Sequence, residues 1–433
     1  MIDPRRNRVL HSGSGHSLNL ILGRILLTVI LSILGCWTVY YCWPQRSIRY
    51  ESYTYSDKEA HRLRFYPKAQ YAYGMRAWFQ QQPDRAIWFF RKAVSQNVLF
   101  LDAWLRLSET EASMGYGEKA KEILIFTTNM TDKVFRWKWS QMLLARELDM
   151  QKRFYHDTNY LLSHKALQQN ALQLLHTHFE GDASAVVSVL DPAHLAVYLN
   201  WLMQWSMIDE SLVVWFVMSE SLEPNKEIAL RYVHFLLNHK RVSASIDIWQ
   251  KYAGSEVLTN PGFEKDITGQ GFDWRYWGEK EGKWGLKRVN TECAEGGYAL
   301  KITFNGKENI SFQHLFQIIP VNPKEKYRLT YAWKSTDITT DQGLFVEIYG
   351  YDDQGLYRTS PMITGTHGWR ENSIEFKIPG SCHAVVLRLR RQPSKRFDSK
   401  IKGMVWIDDF RLEKIKRNTQ TTGVGKKEHF QKS

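Results

Sequence analysis

The spacing of apolar residues divides the chain into three stretches. Ile25 to Trp43, "ILLTVILSILGCWTVYYCW", runs without a charge and is as long as a bilayer-spanning helix requires. From Tyr66 to about Tyr252 apolar positions recur at helical spacing. After Gly254 the period falls to two. "YALKITF" sets Leu300, Ile302 and Phe304 on one face, "KYRLTYAW" does the same with Tyr327, Leu329, Tyr331 and Trp333, and "HAVVLRLRR" with Val385, Leu387 and Leu389. Turn-rich gaps such as "YDDQG", Tyr351 to Gly355, separate about nine strands with no helix between them, the pattern of an antiparallel sandwich. The predicted architecture is multidomain: an N-terminal transmembrane helix, an all-α repeat region and an all-β sandwich.

The first stretch reads as an uncleaved anchor over residues 18–43, with Arg24 snorkelling to the headgroups. Trp37, Tyr40, Tyr41 and Trp43 crowd its distal end as interfacial aromatics do, and Pro44 ends it. A signal peptide is the alternative, but no small-x-small cleavage site follows. Arg5, Arg6, Arg8 and Arg24 favour a cytoplasmic position for residues 1–17, while Arg46, Arg49, Arg62 and Arg64 oppose it. The character of the C-terminal region decides for an external bulk.

Within the helical stretch, "PDRAIWFFRKAV" at Pro83 and "YGEKAKEILIFT" at Tyr116 align with Ala86 over Ala120, a spacing of 34 residues. Gly74 then falls over Ser108, which puts small residues where paired helices touch. This pattern, with "DAWLRLSE" at Asp102, resembles the tetratricopeptide repeat over Lys68–Phe100 and Leu101–Lys133. "DESLVVWFVM" at Asp209 and "SASIDIWQK" at Ser243 suggest further, degenerate repeats, so a TPR-like solenoid is expected over residues 66–252. The resemblance implies a protein partner on the repeats; a mere spacer is the alternative.

In the β region, "NPGFE" at Asn260, "AEGGYALKITF" at Ala294, "FQIIPVNPKEKYRLTYAW" at Phe316, "GWRENSIEFKIP" at Gly368 and "VWIDDFRLEK" at Val405 occur in one order. That ordered set resembles carbohydrate-binding modules of the galactose-binding-like jelly roll, over residues 255–415. The resemblance implies a structural calcium ion held by an early carboxylate, matched by Glu264, and one on the last strand, matched by Asp408 or Asp409. Alternation separates those two Asp residues and groups Asp408 with Trp406, Phe410 and Leu412 toward the core, where a carboxylate needs a cation or strong hydrogen bonds. Sugar rings stack on exposed aromatic faces, and the candidates are Trp274, Tyr276, Trp277, Trp284, Tyr351 and Trp369.

Composition narrows the partners. The net charge of +13 favours anionic ligands, whether nucleic acid, anionic lipid or acidic polysaccharide, but no compact basic stripe supports nucleic acid. Cys36, Cys42, Cys293 and Cys382 show no metal spacing, and a Cys293–Cys382 pair stays open. No nucleophile elbow, phosphate loop or metal-hydrolase motif occurs, and the adjacent Asp352 and Asp353 suit a turn. A basic polar tail, 416–433, reads as disordered. The expectation is therefore a non-catalytic, single-pass inner-membrane protein with its bulk in the periplasm, serving surface-polysaccharide biogenesis or export. A protein-only scaffold whose sandwich binds no sugar is the rival.

Overall fold

The computed structural model of the protein describes residues 25–36, 63–221, 223–278, 282–397 and 399–415. By compactness the chain divides into two units, 1–194 and 195–433. In the first, residues 25–36 are helical with exposed apolar side chains, among them Leu26, Leu31 and Ile33. Among the described residues no helix is long and apolar enough to cross a membrane. The rest of the predicted anchor, 18–24 and 37–43, lies outside the described residues, as do 1–17 and the tail 416–433.

Among the described residues eight α-helices follow: α1 (Pro67–Phe79), α2 (Pro83–Gln96), α3 (Leu101–Ser113), α4 (Gly117–Thr131), α5 (Phe135–Glu147), α6 (Gln151–Leu162), α7 (Gln168–His178) and α8 (Ala183–Val189). Pro67, Leu101 and Phe135 open one set of helices and Pro83, Gly117 and Gln151 the other, so the 34-residue period extends through a third pair. Small residues set the approach of paired helices. Ala86 and Ala120 are fully buried, a Cβ on Gly74 would come within 2.5 Å of the Phe90 ring, and Ser108 Oγ donates to the Ala120 carbonyl at 2.8 Å. In the third pair, buried Lys138 donates to buried Asp157 at 2.8 Å, and Arg153 Nε reaches the other oxygen of Asp157 at the same distance. A buried charge pair persists only when its hydrogen bonds are met in this way.

The second unit begins with α9 (Leu195–Gln204), α10 (Ile208–Ser221), α11 (Lys226–Asn238) and α12 (Val242–Tyr252). Asn225 caps α11 by accepting from Ile228 N–H. Ten strands follow among the described residues: β1 (Arg275–Tyr276), β2 (Trp284–Val289), β3 (Ala299–Asn305), β4 (Phe312–Pro320), β5 (Lys326–Ile338), β6 (Phe345–Gly350), β7 (Tyr357–Thr359), β8 (Gly365–Lys377), β9 (Ala384–Arg391) and β10 (Lys402–Lys414). They form two five-stranded antiparallel sheets, β1-β4-β9-β6-β7 and β2-β3-β10-β5-β8. The inward positions predicted by alternation, Leu300, Ile302, Phe304, Tyr327, Leu329, Tyr331, Trp333, Val385, Leu387 and Leu389, all lie in the core between the sheets. The last helix ends at Tyr252, where the period changes, yet compactness groups 195–252 with the sandwich.

Strand β10 departs from simple alternation. Its pairing with β5 slips between Asp408 and Arg411, and Asp409 takes a left-handed φ of +48°. Val405 and Ile407 therefore face the core before the bulge and Phe410 after it. Trp406 instead lies under the Lys301 and Lys334 ammonium groups on the other side. The predicted grouping of Asp408 with Trp406 and Phe410 fails for this reason.

The helices and the sandwich meet at Gly271. Its φ is +53°, and a Cβ there would fall 2.2 Å from the Trp249 ring of α12, which also packs edge-on against Phe272 at 5.7 Å. Both the backbone conformation and the ring exclude a side chain. Gly271→Ala is expected to destabilise the second unit by about 2–4 kcal/mol, the sum of a left-handed non-glycine residue and an overpacked contact. Denaturant unfolding of the full chain measures this, and an unchanged midpoint would show that the joint is not close-packed.

Candidate functional site

The sheet β1-β4-β9-β6-β7 has one side in the core and one side outside it. Leu315 and Ile319 of β4, Val385, Leu387 and Leu389 of β9, and Val346 and Ile348 of β6 belong to the core. Alternation sends Phe316 and Ile318, Val386, Arg388 and Arg390, and Glu347 and Tyr349 to the outer side. The strand register aligns these in rows. One row reads Arg275, Phe316, Arg388, Glu347, Thr359, and the next reads Ile318, Val386, Tyr349, Tyr357.

At the middle of the first row Arg388 Nε donates to Glu347 Oε1, and the Tyr357 hydroxyl donates to Glu347 Oε2 at 3.0 Å. The Arg388 guanidinium also lies 4.9 Å from the Tyr349 ring centroid. Glu347 is buried by these neighbours. Burial, with the Glu347 hydrogen bond and charge, raises the pKa of the Tyr357 phenol, which stays a donor at neutral pH. Trp277, just beyond β1, stands edge-on to Phe316 at 5.4 Å and to His314 at 5.9 Å, with half of its surface open to solvent. Tyr357, on the far edge strand, is exposed to a similar degree. Four inter-strand steps between the β1 and β7 edges amount to about 19 Å. The result is a polar, charged floor between two exposed aromatic rings.

The adjoining part of the same side is covered. Ile318, Val386 and Ala384 lie outside the sandwich core and are nonetheless buried. Helix α11 and the turn after it supply the fastening. The Tyr351 hydroxyl donates to the Leu237 carbonyl at 2.5 Å, and Lys240 Nζ donates to the Tyr351 carbonyl at 2.9 Å while lying 3.3 Å from its ring centroid. Desolvation lowers the pKa of Lys240 and raises that of Tyr351. His234 of α11 has its pKa lowered first by burial and then by the charge of Arg275, which places this helix beside β1. Arg275 donates to the Gly271 carbonyl at 2.6 Å. The open floor is thus walled at one end by the chain's own helices.

The sequence candidates separate. Trp277 lies on this face. Tyr276 pairs with the inward-facing Leu315, so it turns to the other side of its strand, though it is half exposed. Trp274 and Trp284 are corrected outright: both are core residues. Trp274 packs on Phe263 and Phe410 and donates from its indole to the Asn260 carbonyl, and Trp284 packs on Phe312 and His314. Tyr351 spends its ring and hydroxyl on the helical wall. Trp369 sits on β8, in the other sheet. Asp352 accepts from His383 N and Ala384 N, and Asp353 from Gly355 N and Ser381 Oγ, so this pair does build a turn. Arg388 and Glu347 were missed. The signal was present in "VVLRLRR" and "FVEIYG", whose non-core positions carry the charges.

The carboxylates expected to hold calcium converge in part. Glu264 Oε1 accepts from Gly297 N and Tyr298 N, and Asp408 accepts from Ala294 N, Glu295 N and Asp409 N. Both side chains border Gly262, where a Cβ would lie 3.5 Å from Asp408 Oδ1 and 3.8 Å from Glu264 Oε1. Asp408 is fully buried, and desolvation raises its pKa despite the three amides. Asp409 is not part of the pair, because it faces Arg411 at 2.6 Å across the bulge. Among the described residues no group of three or more His, Cys, Asp or Glu side chains is placed to hold a metal ion. Two hard oxygen donors at an under-compensated buried carboxylate suit Ca2+ chemistry only if main-chain carbonyls complete the shell. Cys293 and Cys382 are both free, and burial pushes the Cys382 thiol up to about 12.

No protein-family model matches the sequence, and no curated protein matches it. Among solved structures, the CBM22-1 xylan-binding domain of Paenibacillus barcinonensis Xyn10C is similar at 16% identity, over 36% of this chain and 92% of that one, with a TM-score of 0.26. A family 16 carbohydrate-binding module is similar at 17% identity over 36% and 99%, with a TM-score of 0.26, and a CBM4 structure at 15% over 36% and 99%, with a TM-score of 0.27. With likeness this distant, the chemistry of the face has to be judged from its own residues.

The two tryptophans three residues apart provide a sharp contrast. Trp274→Ala is expected to cost about 3–5 kcal/mol of stability. Trp277→Ala should stay within about 0.5 kcal/mol of the parent. Equal losses in denaturant unfolding would contradict the placement of Trp277 on an open face.

Proposed function

We propose that the sandwich is a glycan-binding module whose ligand seat is the open part of the β1-β4-β9-β6-β7 face. The observation that carries this is the pair of solvent-exposed rings, Trp277 and Tyr357, flanking the Arg388–Glu347 pair on a sheet side otherwise kept covered. Apolar C–H faces of sugar rings stack on such aromatics, and hydroxyls bond to charged side chains fixed by neighbours. Trp277 supplies the platform, while Arg388, Glu347 and Tyr357 supply donors and acceptors already held in place.

Around this module we propose a non-catalytic, membrane-anchored periplasmic accessory protein in surface-polysaccharide biogenesis or export. The apolar N-terminal stretch is the anchor, and the TPR-like helical pairs hold a protein partner. The rival, a scaffold whose sandwich binds no sugar, draws support from one observation: the chain's own helices already occupy part of the face, as a cap would.

Glycan-array binding of the full chain tests the two. The glycan reading expects binding that falls by roughly tenfold or more, equivalent to about 1.4 kcal/mol, in a folded Trp277→Ala/Tyr357→Ala variant. No binding to any glycan by the folded parent would favour the scaffold.

A structural calcium ion on Glu264 and Asp408 belongs to the same proposal. Its part is to offset the buried Asp408 charge and tie β10 to the loop at 294–298. Calcium is expected to raise the melting temperature of the parent relative to chelator and to do nothing for Asp408→Ala. Identical melts of the parent in calcium and in chelator would remove the ion from the account.

A further inference from the structure

Resting on the glycan reading, we propose that the ligand is an acidic polysaccharide, one carrying carboxylates of uronic acid type, and that Arg275 and Arg390 are the residues that select for it. Among the described residues, the two rows, with Arg390 and Trp277 beside them, contain a single carboxylate, Glu347, and Arg388 already neutralises it. Two further guanidinium groups then remain on this face with neutral partners only. Arg390 donates to Gln313 Oε1 at 2.6 Å. Arg275 donates to the Gly271 carbonyl, and its buried Nε has no partner.

Position makes these two charges relevant to one ligand. Arg275 shares a row with Phe316 and Arg388, and Phe316 in turn carries Trp277. Arg390 lies two residues along β9 from Arg388, on the same side, and its charge is felt at both Tyr349 and Tyr357. A chain stacked between Trp277 and Tyr357 therefore passes both guanidinium groups. Lys240 at the helical wall adds no excess, since it bonds the Tyr351 carbonyl and faces the charge of Asp352. A neutral glycan would leave the charges of Arg275 and Arg390 without a counterpart, whereas carboxylates along the chain meet them with charge-assisted hydrogen bonds. The +13 net charge of the whole chain reinforces the same preference at long range.

The test uses the full chain with polygalacturonate, alginate and hyaluronate, each beside its carboxyl-reduced form, which keeps the sugar backbone and removes the charge. At low salt at least one acid form is expected to bind roughly tenfold more tightly than its reduced partner, and 1 M salt should erase most of that advantage. Arg390→Gln, on a partly exposed side chain, should cut the advantage severalfold while leaving the affinity for the reduced polymer and the circular dichroism unchanged. Equal, salt-independent binding of acid and reduced forms would overturn this proposal and leave the glycan reading standing. Binding to no glycan, charged or neutral, would overturn both.

Discussion

A β-sheet in a sandwich can leave its outer side to water only if that side is polar, and in the β1-β4-β9-β6-β7 sheet it is not uniformly so. Ile318, Val386 and Ala384 point away from the core and still need cover. Helix α11 and the turn that follows provide it, fastened by Tyr351 to the Leu237 carbonyl and by Lys240 to Tyr351. Gly271 lets Trp249 of α12 close against the loop before β1. Because of this cover, the last four helices and the sandwich form one compact unit.

The same constraint shapes the candidate face. Cover over Ile318 and Val386 leaves the Phe316 row and the Tyr357 end of the next row open, with a wall at one end. What remains is charged and aromatic rather than aliphatic: the Arg388–Glu347 pair, the Tyr357 phenol and the Trp277 indole. A face of this kind has positioned hydrogen-bonding groups at no further conformational cost, since Glu347 is already fixed by Arg388 and Tyr357.

Much of the fold was legible in the chain. Alternation located the inward positions of β3, β5 and β9, and the 34-residue spacing located the first two helical pairs because small residues must recur where helices touch. The third pair, α5 and α6, fell within the expected solenoid, but its 34-residue register was hidden because Lys138, Gln141 and Asp157 fill buried positions with polar groups. The bulge at Asp409 was invisible for a different reason: one extra residue inverts a face without leaving a mark on composition. The site was harder still. Crowding of aromatics around Trp274 suggested a platform, but a large ring beside a turn fills a sandwich end as readily as it meets solvent. The face is assembled by strands distant in sequence, β4, β9 and β6, and no local pattern announces that Phe316, Arg388 and Glu347 share a row.

Hydroxyl-radical footprinting of the full chain, with and without saturating acidic oligosaccharide, addresses the central claim most directly, since it reports which rings the ligand covers. The account predicts protection of Trp277 and Tyr357, with Trp369 on the opposite sheet unaffected. Protection at Trp369, or none at either Trp277 or Tyr357 while ligand is bound, would contradict it.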